Sequence, residues 1–256
     1  MPESSRTATV AVLDYPGPSM PARTKSILLG DDRFSCAYPL DLHLPHTTSL
    51  PEYAAAVVEH IGDRPDVVVA YCAAAPIARE AARRFAMTPR LVLVNPEVPD
   101  ADRVVRELAS FLAGDARPTE SEDRQAAAAW LADGADPDRL QQILGDQHLA
   151  RLEDQFGGPQ PHLRPIALQL ASMQVAWIHH LAAGSGGPTD DAASTAIAIA
   201  IAIADEYHLV SADHPCGPDC TARHEVFGES AEEIFSGRRL ADAVAAAGSR
   251  SVPDRG

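Results

Sequence analysis

Residues 66–95, DVVVAYCAAAPIAREAARRFAMTPRLVLVN, decide the fold. Two apolar runs, 66–70 and 90–94, enclose the alanine-rich segment Ala73–Phe85, in which arginine and glutamate recur at helical spacing. Continuous β-branched runs are typical of strands buried on both faces of a parallel sheet. The stretch therefore predicts a strand, a tight turn, a helix and a second strand parallel to the first.

The preceding sequence repeats the same alternation. Residues 9–14, TVAVLD, predict a strand, and residues 50–62, LPEYAAAVVEHIG, predict a helix that ends at Gly62. Ser49 and Glu52 have the spacing of a capping box at the start of that helix. We therefore predict an α/β fold, with a mostly parallel sheet and helices on both faces.

The remaining sequence divides into an insertion and the end of the core. Residues 102–183 are rich in Ala, Leu, Gln, Asp and Arg and are interrupted by Gly/Pro segments, which predicts a helical lid between core segments 1–101 and 184–256. A helical subdomain without a gating role is the alternative. Residues 195–204, TAIAIAIAIA, alternate with period two and predict a strand, and a final helix is predicted over Ser230–Ala247.

Composition restricts the classes of partner and compartment. The formal net charge of −15 disfavours binding to nucleic acid or to an anionic membrane. Four cysteines in 256 residues are too few for a disulfide scaffold. The first residues lack the pattern of a signal peptide, and no apolar run reaches the roughly 20 residues that span a bilayer. We therefore expect a cytoplasmic protein with reduced thiols.

The predicted strand-to-helix turn, residues 70–74, reads AYCAA. It has the position of the G-x-S-x-G nucleophile elbow, with alanine for both glycines and cysteine for serine. A thiol at a helix N-terminus is acidified by the helix dipole and suits acyl transfer, so Cys72 is the candidate nucleophile. The backbone N–H of Ala73 would stabilise an oxyanion. A small buried core cysteine is the alternative.

A base and an acid are expected later in the chain than the nucleophile. His224, in a Pro/Gly-rich loop before the last helix, is the favoured base, and His214 is its competitor. Asp205, at the end of the alternating run, is slightly favoured as the acid over Glu97, which follows the strand at 90–94.

On these residues, the segment Leu50–Pro99 and His224 ahead of FGESAEEIF resemble the thioesterases of polyketide and nonribosomal peptide assembly lines. The resemblance implies an α/β-hydrolase fold and acyl chemistry on a thioester carried by an acyl or peptidyl carrier protein, without a cofactor. The usual oxyanion loop is replaced by YPGPSMP, where Tyr15 or Gly17 is expected to supply an N–H but Pro16 has none.

The departures from the family pattern favour transfer over hydrolysis. An acyl-cysteine is close in energy to the carrier thioester, so a water-excluding lid would direct the acyl group to a second carrier, an amine, a hydroxyl or a peptide thiol. We therefore expect an acyltransferase of natural-product biosynthesis. A type II-like thioesterase that hydrolyses acyl thioesters is the alternative. Four arginines, Arg79, Arg83, Arg84 and Arg90, are expected to form a basic patch for a carrier.

A different class of function is suggested by residues 214–224, HPCGPDCTARH. His214, Cys216, Cys220 and His224 are spaced as zinc ligands can be, although C-x3-C is less usual than C-x2-C. If zinc were bound there, His224 would be a ligand, and the chain would be a non-catalytic scaffold with a degenerate hydrolase fold. A disulfide between Cys216 and Cys220 is the third possibility.

Overall fold

The fold is built on a sheet of parallel strands. The computed structural model describes residues 7–15, 23–113, 122–132, 136–186, 206–214, 216, 220–226, 228, 230–235 and 238–249. Within these residues the strands are β1 (Ala8–Leu13), β2 (Phe34–Ala37), β3 (Val67–Tyr71), β4 (Arg90–Val94), β5 (Glu206–Val210) and β6 (Arg223–Val226). Their order in the sheet is β2-β1-β3-β4-β5-β6, and every neighbouring pair is parallel.

Helices connect the strands and cover the sheet. The described helices are α1 (Arg23–Leu28), α2 (Pro39–Leu42), α3 (Leu50–Ile61), α4 (Ala75–Arg83), α5 (Ala101–Ala113), α6 (Glu122–Ala132), α7 (Pro137–Gln155), α8 (Leu163–Gly184), α9 (Ala231–Ile234) and α10 (Arg239–Ser249). None of the helices in these ranges combines the length and the apolar character needed to cross a membrane.

Alternate strand residues pack against helices on opposite faces, as the pleat requires. One face of the central strands packs against α3 and α4, and its buried residues include Leu13, Val68, Ala70, Leu91, Leu93, Tyr53 and Ile77. The other face packs against α1 and α10, and its buried residues include Val12, Val67, Val69, Val92, Leu28, Leu240 and Val244. The predicted α/β fold, a parallel sheet with helices on both faces, is confirmed.

The strand order places a switch point between β1 and β3. The chain leaves β1 for β2 on one side and then crosses to β3 on the other side, so β1 and β3 are neighbours whose connections diverge. In open parallel sheets, ligands bind outside the carboxyl ends of the strands at such a point. The residues that follow β1 and β3 are Asp14 and Cys72.

Several predicted boundaries agree with the structure. The strand at 90–94 is β4, and the Ser49 hydroxyl accepts the Glu52 N–H at the start of α3, at 3.5 Å. Residues 34–42 differ, because Pro39 opens the short helix α2 instead of merely interrupting an extended segment. The single final helix predicted over Ser230–Ala247 is two helices, α9 and α10.

All the described elements between β4 and β5 are helices. The last of them, α8, packs against α3, α4 and the turn after β3, and its residue Ala183 belongs to the cluster of the sheet core. A gating role for these helices stays a prediction. The strand predicted over 195–204 lies outside the described residues.

Candidate active site

The turn after β3 has the geometry expected of a nucleophile elbow. Cys72 follows the strand with φ = +53°, a left-handed conformation that is rare for residues other than glycine. A 3-10 turn, Cys72–Ala74, leads directly into α4. The Cys72 carbonyl accepts the N–H of Ala75 and that of Glu97, the latter at 3.2 Å. Backbone strain is therefore concentrated on the thiol-bearing residue and held by contacts on both sides.

The geometry explains why alanine replaces both elbow glycines. The positive φ falls on Cys72, so Ala70 and Ala74 need only be small, and each is 1% exposed between strand and helix. The end of α8 closes over the same turn. A Cβ added at Gly184 would lie 3.1 Å from the Ala73 carbonyl oxygen, so the smallest side chain is needed at that approach.

The Cys72 thiol is hydrogen-bonded to a carboxylate. Its Sγ donates to Oε2 of Glu97 at 3.1 Å, and Glu97 is ion-paired with Arg103. Burial, and then the hydrogen bond and charge of Glu97, raise the pKa of Cys72 to about 11. Burial raises the pKa of Glu97, but the hydrogen bonds from Arg103 and Cys72 outweigh it and leave that pKa below its ordinary value. The resting pair is thus a thiol and a carboxylate.

Replacing Glu97 by glutamine should make Cys72 more reactive towards iodoacetamide. Loss of the like charge lowers the pKa of Cys72, so we expect the alkylation rate at pH 8 to rise several-fold. Asp100→Asn, at an exposed carboxylate of the same loop, is the matched control and should leave the rate unchanged. The test is a pH series of alkylation rates, and equal rates in wild type and Glu97→Gln would contradict it.

The structure does not bring His224 to Cys72. His224 lies on edge strand β6, in register with His208, and β6 is three strands from β3. At a strand spacing of about 4.8 Å, this separates their backbones by about 14 Å. The His224 side chain is exposed, and its Nδ1 lies 3.4 Å from the Ala222 carbonyl oxygen. The expected pairing is absent because residues 223–226 extend the sheet instead of forming a loop that returns over β4.

His214, the competing base, has an electrostatic influence on Glu97. It follows β5, its N–H donates to the Ser211 carbonyl at 3.0 Å, and its charge is among the influences that lower the pKa of Glu97. The predicted side chains that the structure joins by a direct contact are therefore Cys72 and Glu97. Asp205 and Gly17 lie outside the described residues.

The two remaining oxyanion candidates lie beside the thiol. The Ala73 N–H hydrogen-bonds to the Cys72 side chain, in the position where an oxyanion donor is required. Tyr15 is buried, its hydroxyl donates to the Met173 carbonyl at 2.8 Å, and its ring centroid lies 4.9 Å from that of Trp177. Tyr15 therefore contributes at least a rigid wall beside Cys72.

A cleft of about 250 Å³, its open mouth included, lies in front of the sulfur. It is lined by Asp14, Tyr15, Tyr71, Cys72, Ala73, Trp177 and His180. Two titratable groups in it were not predicted. Burial lowers the pKa of His180 to about 3, and its Nδ1 lies 3.1 Å from the Tyr53 hydroxyl. Burial raises the pKa of Asp14 to about 6, although it accepts the Thr24 N–H.

Comparison with solved structures gives distant matches along nearly the whole chain. A protein described as DBJA is 14% identical, with 94% of this chain and 91% of that one covered and a TM-score of 0.48. The 2-hydroxy-6-oxo-6-phenylhexa-2,4-dienoate hydrolase of Rhodococcus sp. strain RHA1 is 11% identical, with coverage of 95% and 91% and a TM-score of 0.44. An α/β hydrolase fold protein from Nakamurella multipartita is 13% identical, with coverage of 94% and 92% and a TM-score of 0.43.

No protein-family profile matches the sequence, and no curated protein matches it significantly. At the identities and TM-scores of the structural matches, nothing about the activity of this chain follows from them.

Asn95, the residue after β4, is hydrogen-bonded to Ser211, the residue after β5. It follows β4 with φ = +43°, its Nδ2 donates to the Ser211 hydroxyl at 2.9 Å, and its Oδ1 accepts the Ser211 N–H at 2.8 Å. These paired bonds join the carboxyl ends of β4 and β5. They fix the distance between the loop that carries Glu97 and the loop that carries His214.

The predicted zinc-ligand set is divided by the structure. Cys216 and Cys220 lie beside His208 of β5, with their Sγ atoms 3.2 and 3.3 Å from its Nδ1. In the described residues, the grouping of possible metal ligands contains these three residues and neither His214 nor His224. The sequence spacing thus identified the two cysteines of the grouping, but the histidine that lies beside them is His208, not His214 or His224.

Proposed function

We propose that the chain is an acyltransferase that takes an acyl group from a carrier-protein thioester onto Cys72 and passes it to an acceptor. The observation that supports the proposal is a thiol at a strained strand-to-helix turn, facing a cleft and hydrogen-bonded to Glu97. A small core cysteine needs neither the positive φ nor the carboxylate partner. The natural-product setting of the reaction is part of the proposal.

The proposed reaction proceeds in two exchanges. The Cys72 sulfur attacks the thioester carbonyl, its proton passes to Glu97, and the oxyanion is held by the Ala73 N–H. The bond from carbonyl carbon to carrier sulfur breaks, and the carrier thiol leaves with the proton. An acceptor amine, hydroxyl or thiol then attacks the acyl-Cys72 thioester and regenerates the Cys72 thiol.

Glu97 has two separable effects in this scheme. Its charge suppresses the resting thiolate, so its removal speeds alkylation by a small reagent. The Glu97 carboxylate also accepts the hydrogen bond of the Cys72 thiol. Because it is in place to take the thiol proton, removal of this carboxylate should slow the acyl-transfer step.

The cleft supports a short acyl group. Its enclosed part is little larger than a water molecule, and the Tyr15 and Trp177 rings pack together along one wall. We therefore expect acetyl- or propionyl-sized donors to react better than long-chain donors.

Trp177→Ala should extend the acyl-length range of the donors. Removing the indole enlarges the cleft beside the sulfur, so acylation by a medium-chain thioester should rise relative to acylation by an acetyl thioester. The control is Trp130→Ala, at a tryptophan that does not line this cleft. The measurement is the ratio of the two acylation rates, and an unchanged ratio in Trp177→Ala would exclude Trp177 as a determinant of acyl length.

A carrier-bound donor requires a surface on which the carrier can dock. The expected basic patch of four arginines is offset by two carboxylates, because Arg79 pairs with Glu206, Arg83 and Arg84 share Glu80, and Arg90 donates to the uncharged Ala247 carbonyl. An acyl group on a free pantetheine-type arm can reach Cys72 through the cleft without a docking surface for a carrier. The experiment therefore compares a carrier-bound acyl group with the same group on free pantetheine.

Intact-mass measurement with these two donors, followed by addition of thiol, amine or water, tests the proposal. We expect one acyl group per chain and its faster release to an acceptor than to water. Absence of an adduct with either donor and with every acyl length would overturn it.

Thioester hydrolysis is the second candidate, and Asp14 favours it. Its pKa of about 6 and its position in the cleft suit a carboxylate that accepts a proton from an attacking water. Release of the acyl group to water faster than to any acceptor, and loss of that release in Asp14→Asn, would support this candidate over transfer.

A further inference from the structure

Two thiols and an imidazole converge beside β5, away from the Cys72 turn. The Sγ atoms of Cys216 and Cys220 lie 3.2 and 3.3 Å from Nδ1 of His208, and the three ligand atoms are all within 4.8 Å of one another. His208 is 4% exposed, and both cysteines are half-buried. A neutral imidazole nitrogen has one lone pair, so it cannot accept good hydrogen bonds from two thiols at once. A shared cation, in contrast, can be bound by the nitrogen and both sulfurs.

The other side of the His208 ring is fixed by charged groups. Its Nε2 is hydrogen-bonded to Oε1 of Glu206, and Glu206 accepts a bifurcated bond at 3.1 Å from the Nε–H of Arg79 and a second bond from Nη2 of Arg79. A carboxylate at Nε2 holds the proton on that nitrogen and leaves the Nδ1 lone pair directed at the sulfurs. Metal-binding histidines have this arrangement, in which a carboxylate orients the ring and increases its basicity.

The distances fit a tetrahedral zinc centre after a small expansion. With Zn–S near 2.3 Å and Zn–N near 2.05 Å, the ligand nitrogen and sulfur of such a centre are about 3.6 Å apart. The present nitrogen–sulfur separations of 3.2 and 3.3 Å are shorter than this by only a few tenths of an ångström. The half-buried cysteines are on the loop between β5 and β6, where such an expansion is local.

We propose that the chain binds one Zn²⁺ through His208 Nδ1, Cys216 Sγ and Cys220 Sγ, with a water in the fourth position. Binding releases the two thiol protons and joins the β5–β6 loop to the buried strand β5. Because His214 lies two residues before Cys216, the ion would also restrain the histidine whose charge influences Glu97. The site does not depend on the proposed acyl chemistry, since Cys72 takes no part in it.

Metal titration of the full chain under reductant tests the site. After chelation and desalting, wild type should bind one Zn²⁺ per chain and raise its melting temperature. With Co²⁺ it should show the thiolate-to-cobalt charge-transfer absorption of a two-thiolate centre. Cys216→Ser and Cys220→Ser should each reduce binding at least about tenfold, as removal of a ligand requires. Cys36→Ser and His224→Ala are matched controls and should retain full stoichiometry.

The histidine variants decide between the two ligand sets. His208→Ala should lose the metal, while His214→Ala and His224→Ala should keep it, each shown to be folded by circular dichroism. Loss of binding in His224→Ala with retention in folded His208→Ala would overturn the assignment. So would a folded wild type that binds no metal, or a Cys216–Cys220 disulfide that persists in reductant. Cys72→Ala should bind zinc normally, which separates this test from that of the acyl chemistry.

Discussion

Replacing Cys72 by alanine is expected to reduce acylation by thioester donors by about 10³-fold or more, because the nucleophile is removed while the cleft remains. The measurement is the stoichiometric release of donor thiol on mixing enzyme and donor. Cys36→Ala removes a thiol on β2 and should leave the release unchanged. Equal release from Cys72→Ala and wild type would contradict the assignment of the nucleophile.

A second substitution at position 72 separates the effect of backbone strain on stability from the effect of losing the thiol on activity. Because Cys72 has φ = +53°, glycine relieves a strain that alanine retains. Cys72→Gly should therefore be as inactive as Cys72→Ala but more stable to urea by about 1 kcal/mol. Equal stabilities would show that the turn is not strained in solution.

Replacing Arg79 by leucine is expected to lower the free energy of unfolding by about 3 kcal/mol in zinc-free protein. Arg79 and Glu206 are 16% and 12% exposed, and loss of Arg79 removes the permanent positive charge beside a largely buried carboxylate, which keeps only a hydrogen bond to His208 among the described residues. Arg84→Leu, which removes a more exposed arginine paired with Glu80 on the same helix, is the control and should change stability by less than about 1 kcal/mol. Urea titration in chelator measures both variants.

A double substitution and a pH series test the reason for this effect. Arg79→Leu with Glu206→Leu should recover most of the lost stability, because neither charge then remains buried. Burial raises the pKa of Glu206, but bonds from His208 and Arg79 outweigh it and lower that pKa to about 2. The resulting stabilisation is complete above about pH 4.5 and is lost as pH falls towards 2. Glu206→Gln should lack that acid-dependent loss.

The segment from β3 to β4 could be predicted from sequence because its signals are local. A β-branched run, an alanine-rich helix opened by Pro76 and a second apolar run determine these elements without distant contacts. Strand β6 could not be predicted in this way. Its sequence, RHEV, is polar and its four residues are exposed, so its conformation follows from pairing with β5.

The sequence predicted those site residues whose positions are determined by the ends of strands. Cys72 and Glu97 follow adjacent strands, so their proximity follows from the parallel order of β3 and β4. The histidines depend on packing over longer range. His180 reaches the cleft from buried helix α8, and no local signal separates it from an ordinary core histidine. For the two cysteines, nearness in sequence favoured His214 and His224, whereas His208 of β5 is the residue that contacts them.

The most direct test of the account is peptide mapping after exposure to a short-chain acyl thioester. The enzyme is quenched in acid, digested and analysed by tandem mass spectrometry. We predict one acyl group on the sulfur of the peptide that contains residues 71–74, removable by neutral hydroxylamine. Modification of another residue, or an unmodified Cys72 peptide at full donor consumption, would contradict the claim that this sulfur carries the acyl group.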